Sequence, residues 1–241
     1  MQCDHIKAQT HYQEALTLWK ELGDMEGVAI ALSELANLLY HYGDLATARS
    51  MCDEALSLSR ELGSITVTDS MGISAKIALS QGNLVVAREL SEEVVTRFRE
   101  MNHKWAVASH LSVLALVEAQ LGNHDKANHH FEVLLPLVRE VDDKVLTALI
   151  LERLAGVVII QGESVWATHL LGAAESLRQS IGISRTPTER RDFEQTVAAA
   201  RTHLGEQAFK AVWDKGRKMP YSTHWELSHA QLVAAKPPST V

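Results

Sequence analysis

Apolar residues return along most of this chain at intervals of three and four, the 3.6-residue period of amphipathic helices, and polar turns or glycines interrupt them. Tyr12, Ala15, Leu16 and Trp19 mark a first helix, Ala8 to Leu22. Leu32, Leu35, Ala36 and Leu39 mark a second within Gly27 to Tyr42, and after a turn at Gly43 a third runs from Leu45 to Leu62. Further on, Leu146, Leu149, Leu151, Leu154, Ala155 and the run Val157 to Ile160 make one helix apolar nearly all round, which predicts burial on both sides, between what precedes it and a terminal segment. Trp166, Leu170, Leu171, Ala174 and Leu177 form its partner stripe. Strand signals are almost absent, so the chain reads as all-α.

The helices repeat. Gly43, Gly82, Gly122 and Gly162 step by 39, 40 and 40 residues, and each is followed five positions later by alanine: Ala48, Ala87, Ala127, Ala167. Ala36, Ala75, Ala115 and Ala155 lie seven residues before the glycines, and Ala8 continues the other series upstream, with Cys3 in the glycine slot. All nine framed positions are alanine in a chain with 29 of them, where composition alone would place roughly one. The frame divides the chain into a half repeat (4–24), full repeats 26–63, 64–101, 102–141 and 142–181, a helical cap (182–219) and a tail (220–241). Such units bury a linear core, each against its neighbours, as in a solenoid.

Several local expectations follow. Residues 8–23 and 48–63 share Ala-x-x-x-x-x-Glu-Ala-Leu-x-Leu-x-x-Glu-Leu-Gly, so the first helix is the second half of a repeat whose first half is missing. Its apolar flank should be open to a partner, and the chain is expected to continue something longer. Gly43 should take a positive φ and end its helix, and Arg49 and Asp53, four apart, can pair weakly. The second repeat is the least regular, with Met71, Gly72 and Ser74 in its first helix. Pro136 lies inside a helix and predicts a kink or local break. Thr186-Pro187-Thr188-Glu189 reads as a helix start, with Thr186 as N-cap and Glu189 closing a capping box. That helix ends at Leu204-Gly205, and another follows from Glu206 with Phe209, Val212 and Trp213 inward. Residues 225–233 suggest a short helix, and residues 236–241 are expected to be disordered.

Charge narrows the partners. The net −7 is uneven: residues 1–184 hold 14 basic and 24 acidic groups (−10), residues 185–218 hold 8 and 5 (+3). The acidic part argues against direct nucleic-acid binding. Cys3 and Cys52 form no CxxC, there is no signal peptide, and no apolar run has membrane-spanning length, so a soluble cytoplasmic protein is expected. The histidines of the third repeat invite a metal reading, but His124, His129 and His130 are five and six apart, off one helical face, and no cysteine accompanies them. Walker, His-Glu-x-x-His, Gly-x-Ser-x-Gly and dinucleotide signatures are missing, so neither catalysis nor a cofactor is expected.

The order of small, large and turn positions resembles the tetratricopeptide repeat, a helical hairpin with Ala at its eighth and twentieth positions and an aromatic at the twenty-fourth. That last slot here holds Tyr12, Cys52, Ser91, Phe131 and Leu171, and the usual closing proline is missing. The period exceeds the usual 34 by about six residues, roughly 9 Å of helix shared between the two arms. This longer form is similar to the repeats in the carboxy-terminal arms of large bacterial signalling ATPases, including the LuxR-like regulators. The segment Leu170-Leu171-Gly172-Ala173-Ala174-Glu175, then Pro187 and Glu189, Leu204-Gly205-Glu206 and Gly216-Arg217-x-Met219 resembles the closing segment of those arms.

The resemblance implies a right-handed superhelix of antiparallel helix pairs with capping helices. It also implies a concave face lined by positions two, five, nine and twelve of each first helix: Ile30, Ser33, Asn37 and Tyr40, then Asp69, Gly72, Lys76 and Leu79. Ser109, Ser112, Leu116 and Ala119, then Leu149, Glu152, Gly156 and Ile159, continue the row. Asn37, Tyr40, Lys76, Ser112 and Glu152 are the expected contacts. The row lacks the Lys and Asn run with which some relatives clamp a carboxylate. The implied role is a non-catalytic scaffold, the regulatory or sensor arm of a bacterial signalling ATPase or transcriptional regulator, its partner a protein, a peptide or the upstream ATPase domain of the same polypeptide. The alternatives are a freestanding adaptor binding a protein in the groove, and a homodimer formed through the unpaired first helix.

Overall fold

The computed structural model describes residues 2–219, with side chains from His5 onward; the expectations placed on residues 220–241 lie outside them. Eleven helices and no strand occur among the described residues. They are α1 (Gln2–Leu22), α2 (Met25–Tyr42), α3 (Leu45–Leu62), α4 (Val67–Ser80), α5 (Leu84–Glu100), α6 (Lys104–Gln120), α7 (His124–Val141), α8 (Lys144–Ile160), α9 (Ser164–Ile181), α10 (Pro187–Leu204) and α11 (Glu206–Arg217). The protein is an all-α helical-repeat solenoid. No helix among the described residues is long and apolar enough to cross a membrane.

Alanine sets how closely these helices approach. Ala36, Ala48, Ala75, Ala87, Ala115, Ala127, Ala155 and Ala167 have zero exposure, whereas Ala8 is half-buried. At such a contact a larger side chain must push two helices apart, at about 1–3 kcal/mol. The turns follow from backbone chemistry. Gly43 has φ 91° and its amide reaches the carbonyl of Tyr40, closing α2. A second turn series ends the other arm of each hairpin at Gly23, Gly63 and Gly182, and in it Asn102 (φ 55°) and Asp142 (φ 49°) occupy the glycine slot. Asn and Asp are the side chains that tolerate this left-handed conformation best.

The described residues form two compact units, one comprising the chain to Arg97 with Thr186–Thr188, the other Phe98–Arg185 and the chain from Glu189. In the first, α2 packs against α1, α3 and α4. Val28, Leu32 and Ala55 are buried together, with Leu16, Met51 and Leu58 packed on them. A hydroxyl and thiol seam joins α2, α3 and α4. Ser33 bonds Ser70, the Cys52 thiol donates to the Ser70 carbonyl at 3.0 Å, and Ser59 bonds Thr66 at 2.9 Å. Burial pushes the Cys52 thiol up from its ordinary range. α4 has 14 residues, shorter than α2 or α3, because Ser64 accepts hydrogen bonds from the amide and hydroxyl of Thr66 and holds that stretch as a turn. Arg49 and Asp53 meet at 3.7 Å on the exposed face. Thr188 also belongs to this unit, its hydroxyl donating to the Tyr40 carbonyl at 2.7 Å.

In the second unit α6 packs on α7 and α8, and α9 packs on α8 and α11. α8 is buried along most of its length, as its apolar surround predicts. Of the kink or local break expected at Pro136, the break does not occur: α7 runs unbroken from His124 to Val141. Pro136 removes one helical donor, but its side chain is exposed, where water can take the freed carbonyl, while Phe131, Leu134, Leu135 and Val138 hold the helix down on its other face. α9 and α11 touch backbone to backbone at Gly172 and Gly216. A Cβ on Gly172 would lie 2.5 Å from the Trp213 carbonyl oxygen, and one on Gly216 only 2.2 Å from that of His169. This explains two of the three glycines of the closing segment, Gly172 and Gly216.

Candidate binding surface

In the first unit the expected row runs along α2 and α4. Ile30 and Asp69 are exposed, Asn37, Lys76 and Leu79 are half-buried, and Ser33, Tyr40 and Gly72 are buried. Asn37 carries a shielded Oδ1 with no hydrogen-bond partner, a polar atom whose desolvation goes uncompensated. Lys76 stands one helical turn beyond Gly72 on α4.

In the second unit the row runs along α6 and α8, and two of its expected contacts serve packing. The Ser112 hydroxyl donates to the Ser109 carbonyl at 2.6 Å and accepts from Arg153 Nη1 at 2.7 Å, and the same nitrogen reaches the Ser109 carbonyl at 3.0 Å. Glu152 is the acceptor of a buried ionic cluster. Arg178 grips it with two parallel bonds, Nε to Oε1 at 2.8 Å and Nη2 to Oε2 at 3.0 Å, and Arg185 adds Nε to Oε1 at 2.9 Å. Arg178 also faces Glu189 at 3.4 Å, and Arg185 faces Glu175 at 2.6 Å with its guanidinium 3.5 Å above the Phe193 ring. Burial pushes the Glu152 carboxyl up, and the two guanidiniums oppose that. The cluster ties α8 and α9 to the 182–186 connection and to α10, so it fixes how the cap sits on the last hairpin.

Sequence reasoning singled out Glu152 but missed its partners. Glu152 is an acid inside a helix apolar nearly all round, and such a group requires a buried counter-charge. Arg178 and Arg185 lie 26 and 33 residues downstream, a separation that periodicity does not report. Glu189, expected to close a capping box, lies beside Arg178. The third-repeat histidines take varied places. His103 Nδ1 accepts from the Ala106 amide at 3.3 Å, and His110 stacks on Phe98 at 5.7 Å. His124, with Asp125, Lys126, Asn128, Gln161 and Glu163, borders an open depression of about 690 Å³ at the turn edge. Among the described residues no three His, Cys, Asp or Glu side chains converge as a metal ion requires.

Comparison with known proteins agrees with this geometry. Residues 1–61 match the family model of the tetratricopeptide repeat, which spans α1 to α3. Over 212 residues, 88% of its length, the chain is 26% identical to proteins of Mycobacterium bovis and of two strains of Mycobacterium tuberculosis that carry the provisional name of HTH-type transcriptional regulators. It spans 23% of the length of those relatives. Among solved structures, BtubC from P. vanneervenii has the same kind of fold, with a TM-score of 0.61 over 97% of this chain and 94% of that one at 18% identity. The match to the tetratricopeptide repeat lies on residues 1–61, the first three helices, and the chain as a whole is an all-α protein whose helix pairs recur through α9.

Proposed function

We propose that this chain is the regulatory arm of a larger bacterial signalling ATPase or transcriptional regulator of LuxR-like type, acting in the cytoplasm and carrying out no reaction of its own. The observation that carries this reading is the 88% coverage of the chain by a stretch that is 23% of much longer proteins named as transcriptional regulators. Tetratricopeptide repeats are protein-interaction scaffolds, generally without catalysis, so the arm would act by presenting a surface to another protein or to the domains of its own polypeptide. Asn37 and Lys76, half-buried on α2 and α4, are the contacts proposed in the first unit, and buried Tyr40 would contribute by holding α2 in place. Ser112 and Glu152 would contribute indirectly, by holding α6 and α8 in place.

A photo-crosslinking amino acid placed at position 76, and in a second variant at position 54 on the exposed face of α3, tests the surface in source cells. The expected result is a defined adduct from position 76 and none from position 54. No adduct at 76, or equal labelling from both, would overturn the assignment.

A further inference from the structure

The first unit carries a second surface, set apart from the row on α2 and α4. Successive helices run antiparallel, so the C-terminal ends of α1 and α3 and the N-terminal ends of α2 and α4 share one edge. Ser64 confirms this by donating to Glu26 at 2.9 Å across it. On that edge Leu22 is 73% exposed, Met25 43%, Leu62 48% and Ile65 73%. The slots are periodic: Leu22 and Leu62 are one 40-residue step apart, as are Met25 and Ile65. Helix capping does not call for them, because polar groups make the caps. The Asp24 carboxylate accepts from the Gly27 amide at 3.0 Å, and α3 closes through Gly63 to Arg60 and Ser64 to Ser59 backbone bonds. Large aliphatic side chains left in water at the same place in successive repeats are the mark of an interaction surface.

Charge identifies the occupant. Glu21, Asp24, Glu26 and Glu61 are exposed around these four side chains, against Lys20 and Arg60. The whole stretch 1–97 holds 7 basic and 14 acidic groups, a net −7. A second copy of the chain docking by the same patch would bring two surfaces of net negative charge together, since a twofold contact joins the same patch of both copies. We infer that this edge receives a basic amphipathic helix of another protein segment, its leucine-type face on Leu22, Met25, Leu62 and Ile65 and its Lys or Arg groups on the surrounding carboxylates. Apolar contact would supply most of the affinity, and the charges the choice of partner.

The probe is a fluorescein-labelled Leu/Lys amphipathic peptide of about 18 residues, five helical turns, titrated with the full chain by anisotropy, beside a Leu/Glu peptide of the same pattern. The Leu/Lys peptide should bind and the Leu/Glu peptide should not. Leu62→Ser with Ile65→Ser should weaken binding by about tenfold or more, equivalent to about 1.4 kcal/mol. Val85→Ser with Val165→Ser, which removes two exposed aliphatic side chains elsewhere, should leave it within about twofold. All four positions are exposed, and circular dichroism checks that both variants are folded. The inference fails if no binding occurs at about 0.1 mM, if both peptides bind alike, or if the two double variants lose the same affinity. It also fails if sedimentation shows a dimer that Leu62→Ser with Ile65→Ser dissolves. None of these outcomes bears on whether the chain belongs to a larger regulator.

Discussion

Replacing Glu152 by Gln keeps the shape of the side chain and removes the charge that two buried guanidiniums share. In the native protein Arg178 is 4% exposed and Arg185 12%, and both direct their Nε to the same carboxylate oxygen. After the change the only carboxylate left to Arg178 is Glu189 at 3.4 Å, and the one left to Arg185 is Glu175 at 2.6 Å. Removing one partner of a buried ion pair costs about 3–5 kcal/mol, because the remaining charge stays desolvated. The two surviving glutamates place this case near the lower end, about 3 kcal/mol. For a chain of this size that corresponds to a fall of about 6–12 °C in the melting temperature. Urea unfolding followed by tryptophan emission reads the loss directly, since Trp166 is buried and Trp213 lies in the cap, against Phe193 and Phe209. A double variant adding Arg178→Met should be less destabilised than the sum of the two single changes, because the stranded charge is then gone. A loss below about 1 kcal/mol for Glu152→Gln, or full additivity in the double variant, would refute the view that these groups act as one desolvated cluster.

Other outcomes follow from the same geometry. Gly216→Ala sets a Cβ 2.2 Å from the His169 carbonyl oxygen, so α9 and α11 must part; overpacking of up to about 3 kcal/mol, less about 1 kcal/mol of helix propensity, leaves a net loss near 2 kcal/mol. A melting temperature equal to the native one would contradict that close crossing. Asn102→Val should cost about 1–2 kcal/mol at its left-handed φ of 55°, whereas Asn102→Gly should be neutral or stabilising, and equal urea midpoints for the two would count against the turn assignment. Burial and then Lys215 hold the His169 imidazole below its ordinary value of 6.5, so the unfolded chain takes up the proton first and stability should fall as pH drops through 6.5. His169→Gln should flatten that slope between about pH 7.5 and 5.5, and an unchanged slope would show that the ring does not contribute.

The repeat frame was readable because it is written in one residue type. Alanine at nine framed slots has a single physical reason, close helix contact, and eight of the nine are completely buried. Gly43 and its equivalents were legible for the same kind of reason, a backbone conformation that few side chains share. The companion turn series was harder to see, since Asn102 and Asp142 meet the same requirement with different chemistry. Pro136 does not break its helix because its penalty depends on what lies around it, and an exposed flank with a firm apolar face lets the helix continue. The row on the first helices was read from a family pattern, and a pattern does not say which slots a neighbouring side chain fills. Arg153 covers Ser109 and Ser112, and Arg178 with Arg185 takes up Glu152. Such long-range pairings are properties of the packed helices rather than of any window of sequence.

The regulatory-arm reading is tested most directly by the intact mass of the native polypeptide, captured from its source cells with an antibody against residues 186–219. The account predicts a species several times larger than 26.6 kDa, in keeping with relatives of which this chain spans 23%. A single species near 26.6 kDa would contradict it and leave a freestanding adaptor in its place.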